Sequence, residues 1–325
     1  MSMICGLQKQ YSNLWQSVFK DGREFTEKYF SVFLNDESFF YINKGDLLIS
    51  ALTGCKYLWK FLDTELPFVY LSGILTRKEY RSKGYCGKLI NNVFNTLYKR
   101  GVPLCGLIAA DKHLTEYYNG FGFINCYSLE GELFSKKTAD TVLLGGYTFT
   151  DGANVLQDIY KDFLNREDNC VVHDDRTLSL YKGKGYCNIA AVKDGIIAAF
   201  AVCTEYNGDN VVLYLYSEDG KSKKALLSFL SLKADSDIRI LEEDNRMLRI
   251  IDVRKILQIY ASRNKEVKMR LQITDAIIKE NNVFVEIHSG RVTDTERTGN
   301  FETLSAEELS ARLFENGRMY LMTDV

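Results

Sequence analysis

Arg81-Ser82-Lys83-Gly84-Tyr85-Cys86-Gly87-Lys88 lies between the apolar run Phe68-Val69-Tyr70-Leu71-Ser72-Gly73-Ile74-Leu75 and a stretch with Leu89, Ile90, Val93, Phe94 and Leu97 at helical spacing. The order is strand, glycine loop, helix. Such a loop turns several backbone N–H groups toward one anion beside a helix N-terminus, and glycines let the backbone come close. A bare G-x-x-G arises about once or twice by chance in a chain of ordinary glycine usage, so the glycines alone decide little. Arg81, Lys83 and Lys88 around them, with a strand before and a helix after, point to a phosphate-bearing ligand.

Toward the N-terminus, Tyr11, Leu14, Trp15, Val18 and Phe19, then Phe25, Tyr29 and Phe33, recur at helical spacing on either side of Asp21-Gly22. Two amphipathic helices are expected there. Phe39 to Ile42 and Leu47 to Leu52 read as strands around the turn Lys44-Gly45-Asp46, opening an antiparallel sheet. Beyond the loop, Leu104 to Ala109 reads as a buried strand and Leu114 to Tyr118 as a short helix, and Gly120-Phe121-Gly122-Phe123 turns into a further strand. These elements make a mixed α/β domain over 1–135.

Residues 140–235 repeat that order without the glycine loop: a helix near Val155 to Phe163, strands at Asn188 to Val192, Ile196 to Thr204 and Val211 to Tyr216, and a helix at Lys223 to Leu232. Lys-Gly-Tyr-Cys recurs at 83–86 and 184–187, but the second copy leads into a strand, so the repeat is read as chance. Over 237–325 a helix near Val253 to Tyr260 precedes strict alternation at Val267, Met269, Leu271 and Ile273, repeated at Val283, Val285 and Ile287. Ser305-Ala306-Glu307-Glu308 is a capping box that opens a last helix. A small α+β domain is expected there.

Composition narrows the function. The 325 residues are 46% hydrophobic and 26% charged, the balance of a folded chain. Lys and Arg number 41 against 43 Asp and Glu, a net charge of −2 that gives no general pull toward nucleic acid or anionic lipid. The longest uncharged stretch runs from Tyr117 to Leu129, too short to span a bilayer, and the first residues lack a secretory hydrophobic region. A cytoplasmic protein with no nucleic-acid or membrane partner is expected. The eight Cys are scattered without a C-x-x-C pair and read as reduced thiols, and with only three His no metal site is expected.

Two phosphate chemistries compete for the loop. A Walker A loop needs G-x-x-x-x-G-K-[ST]; Gly87-Lys88 fits, but Ser82 stands at the first Gly and Leu89 where Mg²⁺ needs a hydroxyl. The other is the pyrophosphate of acetyl-coenzyme A. Here the stretch resembles the R-x-x-G-x-x-G acetyl-CoA loop of GNAT-family N-acetyltransferases, and Tyr118-Asn119-Gly120-Phe121-Gly122-Phe123 resembles the family's Y-x-x-F-G-[FY] segment. The likeness extends to the Eis-type branch (enhanced intracellular survival). Leu14-Trp15, Phe25 to Phe30, Arg249-Ile250-Ile251-Asp252-Val253 at the opening of the third domain and a chain ending just after Gly317 carry it. This sequence is shorter than the long members and has Ser82 and Lys83 where they are richer in Arg.

The resemblance implies an α/β GNAT fold with a mixed, mostly antiparallel sheet, a degenerate second GNAT-like domain and a sterol-carrier-like third domain. It implies acetyl-CoA as cosubstrate and a small-molecule amine as acceptor. Ile74, Thr76, Arg81, Ser82, Lys83, Gly84, Tyr85, Cys86, Gly87 and Lys88 are then the cofactor-binding residues. Tyr118 is the acid that protonates the departing thiolate, which a phenol with a reference pKa near 10 can do at neutral pH. The carboxylate of Val325 is the base the branch implies, with Asp111, His113 and Glu116 as the other candidates. For the third domain a scaffold role is favoured over lipid carriage. A CoA-binding or structural protein without turnover is the alternative reading, and the acceptor and a homo-oligomeric state stay open.

Overall fold

The computed structural model describes residues 3–19, 21, 23–126, 131–152, 156–166, 168–182, 185–206, 208–240, 245–317 and 319. The N-terminal aromatics form helices α1 (Met3–Phe19) and α2 (Arg23–Phe33), separated near Asp21. Strands β1 (Phe39–Lys44) and β2 (Leu47–Phe61) follow as a hairpin about Gly45, which takes a left-handed φ of 56°. β3 (Thr64–Thr76) is the apolar run before the glycine loop, α3 (Tyr85–Lys99) the helix after it and β4 (Leu104–Ile108) the next buried strand. α4 (Lys112–Asn119) and β5 (Ile124–Asn125) complete the consecutive part of this region.

The chain then builds β6 (Glu132–Phe134), α5 (Thr141–Leu144), β7 (Thr148–Asp151) and α6 (Leu156–Arg166). β8 (Cys170–Val172), α7 (Asp175–Leu178), β9 (Tyr186–Lys193), β10 (Ile196–Tyr206), β11 (Asp209–Ser217), α8 (Gly220–Ala234) and β12 (Ile238–Ile240) follow. The last part holds β13 (Arg246–Ile250), α9 (Val253–Arg263), β14 (Met269–Thr274), β15 (Val283–His288), β16 (Arg291–Asp294), β17 (Glu302–Ser305) and α10 (Ala306–Phe314). Ser305 and Glu308 make the capping box that the sequence predicts for α10.

These strands make three sheets. The first runs β1-β2-β3-β4-β13-β5 with β8 on β2, the second β6-β12-β11-β10-β9-β7, and the third β16-β15-β14-β17. Two compact units result: Met1–Tyr127 with Asp168–Val172 and Asn245–Arg318, and Ser128–Glu167 with His173–Asp244 and Met319–Val325.

β13, in the segment that the sequence places at the opening of the third domain, is the strand that fills the first sheet. It pairs antiparallel with β4 on one side, Met247 facing Leu107, and with β5 on the other, Leu248 facing Ile124. All five of its residues are buried, as befits a strand with neighbours on both sides. Around it, α3 buries Leu89, Ile90, Val93, Phe94 and Leu97 against Val69, Leu71, Cys105, Leu107 and Met247. Each such side chain contributes about 1.5 to 3 kcal/mol by leaving water, so this one face holds the helix and the loop before it in place.

Candidate active site

The glycine loop ends in an open helix terminus. Gly84 is the N-cap of α3 with φ 76° and ψ 2°, and it supplies no side chain to cap the helix. The helical ladder begins with Lys88 N–H donating to the Gly84 carbonyl at 3.0 Å, so the amides of Tyr85, Cys86 and Gly87 precede it and point out of the helix end. Ser82 is also left-handed, at φ 57°. The cations differ from their expected role. Arg81 Nε donates to the Thr76 carbonyl at 3.1 Å and Lys83 Nζ to the Glu79 carbonyl at 2.7 Å, so both brace the loop, while Lys88 is exposed.

Gly87 serves packing. A Cβ there would stand 3.0 Å from Phe121 Cζ, so the bare backbone lets the turn after α4 lie against α3. A Cβ added at Gly84 would meet nothing within 4 Å, and that glycine answers to backbone conformation alone. Leu89, at the position where a Walker A loop needs a hydroxyl, is buried in the core.

β3 breaks its own regularity next to this loop. Ala51 faces Leu75 and Thr53 faces Ser72, so Gly73 and Ile74 together oppose one residue of β2. This is a β-bulge, and Gly73 takes φ 59° in it. The Tyr11 hydroxyl donates to the Gly73 carbonyl at 2.9 Å, and a Cβ on residue 73 would lie 1.9 Å from Trp15 Cζ3. α1 thus requires the glycine. β3 and β4 run parallel from Phe68 opposite Leu104 to Tyr70 opposite Gly106 and share no further pair, so their carboxyl ends part beside the bulge. Ligands in open α/β sheets sit outside such strand ends. Thr76, one step further, bonds its hydroxyl to that of Ser50 at 2.9 Å.

Tyr118 stands on α4, which Asp111 caps by accepting from the Leu114 amide at 2.8 Å. The phenol is 6% exposed and belongs to the same cluster as Leu71 and Leu107, against which Ile74 and Cys86 pack. Burial first, then the neighbouring Cys86 and Tyr117, pushes its pKa well above the usual phenol value. Tyr118 is therefore a neutral donor across the physiological range. Tyr117 is raised too, by burial and by its hydrogen bond with Cys86, and the Cys86 thiol is raised by burial against the effect of that bond. Of the candidate bases, Asp111 is a helix cap, His113 and Glu116 are exposed, and Val325 lies outside the described residues.

One buried ion pair was not legible in the sequence. Arg249 on β13 gives Nη2 to both carboxylate oxygens of Asp275 at 2.8 Å and Nη1 to the Phe121 carbonyl, while its guanidinium lies 4.8 Å from the Phe94 ring centroid. Gly122, at φ 74°, is where a Cβ would meet that guanidinium at 1.8 Å. Asp275 also accepts from the amides of Ile277 and Ile278 and from Asn281, and Phe123 beyond the turn meets Tyr118 edge-on at 6.2 Å. Arg249 thus pins the turn that follows the catalytic candidate. Arg249 stands out in sequence only as part of a resemblance, and nothing marks its partner.

A cavity of about 260 Å³ lined by Phe40, Tyr57, Pro67, Phe68, Val69 and Leu97 holds none of these residues and lies toward the other end of α3. Among the described residues no group of three or more His, Cys, Asp or Glu is placed to hold a metal, and no helix is long and apolar enough to cross a membrane.

A strand with a bulge, a parallel neighbour that parts from it and a glycine loop opening a helix define a recognisable site, and residues 8–125 match the acetyltransferase (GNAT) domain family. The fold is that of the GNAT acetyltransferases. That family uses an acyl-CoA cosubstrate, and the uncapped amides of α3 fit a pyrophosphate. No curated protein matches the chain. Among solved structures, a GCN5-related N-acetyltransferase from Anabaena variabilis is 13% identical with a TM-score of 0.73, over 93% of this chain and 86% of the other. A probable N-acyltransferase of Enterococcus faecalis is 14% identical with a TM-score of 0.73, over 92% and 85%. Eis1 of Mycobacterium abscessus is 13% identical with a TM-score of 0.68, over 94% and 86%. At these identities the GNAT likeness of the whole chain is a likeness of fold.

Proposed function

We propose that this chain transfers an acetyl group from acetyl-CoA to a primary amine by direct attack. The observation that carries this reading is the uncapped N-terminus of α3 beside the bulge of β3, with the Tyr118 phenol packed into the same cluster. The amides of Tyr85, Cys86 and Gly87 would receive the pyrophosphate, with Arg81, Ser82, Lys83, Gly84 and Lys88 shaping the loop around it. The backbone at Ile74 and Thr76, where β3 leaves β4, would grip the pantetheine arm.

In the reaction the amine lone pair attacks the thioester carbonyl carbon and the C–S bond breaks. The thiolate left behind takes a proton from Tyr118, and the proton lost by the amine goes to a base. A buried phenol held neutral suits the first task because it donates a hydrogen bond to the sulfur as negative charge develops. For the base we take the terminal carboxylate of Val325, which the Eis-type resemblance implies; Asp111 already caps α4. Adding residues after Val325 is then expected to depress turnover, and a fully active extended variant would pass the role to His113 or Glu116. The third sheet is assigned a supporting role through Asp275, which holds Arg249. The cytoplasm, where acetyl-CoA is made and used, is the expected setting.

The test is a thermal-shift comparison of acetyl-CoA, CoA and Mg·ATP, followed by thiol release with a panel of primary amines. A ligand at 100 times its Kd stabilises by about 2.7 kcal/mol, which moves Tm by a few degrees. A shift with acetyl-CoA and none with ATP, plus amine-dependent thiol release, is expected. A shift without release from any amine would favour a CoA-binding protein without turnover. No shift with acetyl-CoA would overturn the reading.

A further inference from the structure

Two cysteines of the second unit meet in a way that the catalytic reading does not use. Cys187 on β9 and Cys203 on β10 are direct cross-strand partners in an antiparallel pair. Cα atoms of such partners stand about 4.5 or 5.5 Å apart, according to the hydrogen-bonding position. Both separations lie within the range of about 4.4 to 6.8 Å that a disulfide spans. Direct partners share a face of the sheet, and here it is the face that carries Ile189, Ala191, Ala199 and Ala201 toward Leu230 of α8. Both residues are half-buried free thiols.

They also share an entrance. Cys187 and Cys203 line one cavity of about 210 Å³, together with Val212, Leu230, Ile238 and Lys233. The cavity walls are mostly apolar, and the lysine ammonium favours a thiolate near it. By contrast, Cys55, Cys105, Cys126 and Cys170 are buried. We propose that Cys187 and Cys203 form a reversible dithiol–disulfide site that exchanges with small disulfides of the glutathione class through the cavity they line.

The exchange balances in two steps. The Cys187 thiolate attacks one sulfur of the small disulfide; that S–S bond breaks, and one thiolate leaves and takes up a proton. Cys203 then loses its proton and attacks the Cys187 sulfur of the mixed disulfide, releasing the second small thiol. Two protein thiols are oxidised and one small disulfide is reduced to two thiols. Burial, with Cys187 as a negative neighbour and Lys233 acting against both, pushes the Cys203 thiol above its usual pKa, so Cys203 is the resolving partner and Cys187 the first to attack.

Trypsin makes the test direct, because Lys193 lies between the two cysteines and Cys187 and Cys203 fall in separate peptides, 185–193 and 194–221. The full chain is incubated with oxidised glutathione, denatured with N-ethylmaleimide, and read as intact mass and as a non-reducing peptide map. The expected shift is from eight maleimide adducts to six, with peptides 185–193 and 194–221 linked and the link undone by dithiothreitol. In Cys203→Ser the expected product is a glutathione adduct that stays on Cys187. Free Cys187 and Cys203 after oxidation, a stable glutathione adduct on either of them in the unaltered chain, or Cys187 linked to any other cysteine would each overturn the proposal. The map of the unaltered chain decides the matter even where a variant fails to fold.

Discussion

Two helices of this chain each follow a strand and pack on a sheet, α3 in the first unit and α8 in the second, and their N-termini are built in opposite ways. Gly84 opens α3 with no side chain, leaving the first amides uncapped. Asp219 opens α8, accepts from the Ser222 amide at 2.7 Å and completes a capping box with the Ser222 side chain. Its carboxyl is held below its usual pKa, first by that backbone hydrogen bond. The carboxylate of Asp219 occupies the place that an external anion would take on α3. The same strand–helix scaffold thus ends in two ways, with the N-cap leaving the first amides of α3 open to the proposed anion and closing those of α8.

The largest expected effect lies with the residue that has no counterpart role in the second unit. Tyr118→Phe should lower kcat by about 100-fold or more, the usual contribution of a positioned acid, with little change in KM for acetyl-CoA. Steady-state thiol release reads both, and unchanged turnover would remove Tyr118 as the acid. Next comes Arg249→Met, which leaves the Asp275 carboxylate buried without its partner and should cost about 3 to 5 kcal/mol of stability, seen as a lower Tm. Asp275 also gives the first unit an acid edge. Burial raises its pKa, but Arg249 and the hydrogen bonds from Asn281, Ile277 and Ile278 outweigh that and leave it below the usual carboxylate value. A depressed pKa contributes stability above the unfolded value, near 3.9, and loses it as pH falls through the folded value. Tm measured from pH 6 down to 3 should therefore drop in the natural chain more steeply than in Asp275→Asn.

Gly84→Asp places a carboxylate at the α3 terminus, at the strain of an L residue with φ 76°, and is the direct attack on the comparison. Hydrogen bonds to charged groups are worth about 1.5 to 3 kcal/mol, so KM for acetyl-CoA should rise by about 10- to 100-fold. An unchanged KM would mean that the helix end is not where the phosphates bind. The smallest effect belongs to Asp219→Ala, which should lower Tm slightly and leave kcat/KM unaltered, since nothing in the proposed chemistry touches α8.

What could be read from sequence is what is local. The glycine loop and the helix behind it declare themselves within a dozen residues, because a strand, a turn and an amphipathic helix have short-range signatures, whereas Tyr118 is singled out among the tyrosines by the resemblance. Gly73 looks like one more residue of an apolar run. Its bulge exists because Tyr11 and Trp15, some sixty residues earlier, press on it. Gly122 is visible as a turn residue, yet its necessity comes from Arg249, which arrives from the far end of the chain. β13 is marked in the sequence only where Arg249-Ile250-Ile251-Asp252-Val253 opens the third domain, and only the sheet reveals it as a strand and which neighbours it joins. Pairing partners at such separations leave no periodic trace. The terminal carboxylate proposed as the base rests on resemblance alone, since Val325 lies outside the described residues.

The insertion of β13 between β4 and β5 sets an order of events during synthesis. When β5 leaves the ribosome, the strand that will separate it from β4 is still about 120 residues away. At about 5 to 20 residues per second, that gap lasts roughly 6 to 24 s. For that interval the nascent chain carries two unpaired strand edges, β4 and β5, each a template for the wrong partner. Every strand of the second sheet is made within this window, so of these two sheets the one that begins first is completed last.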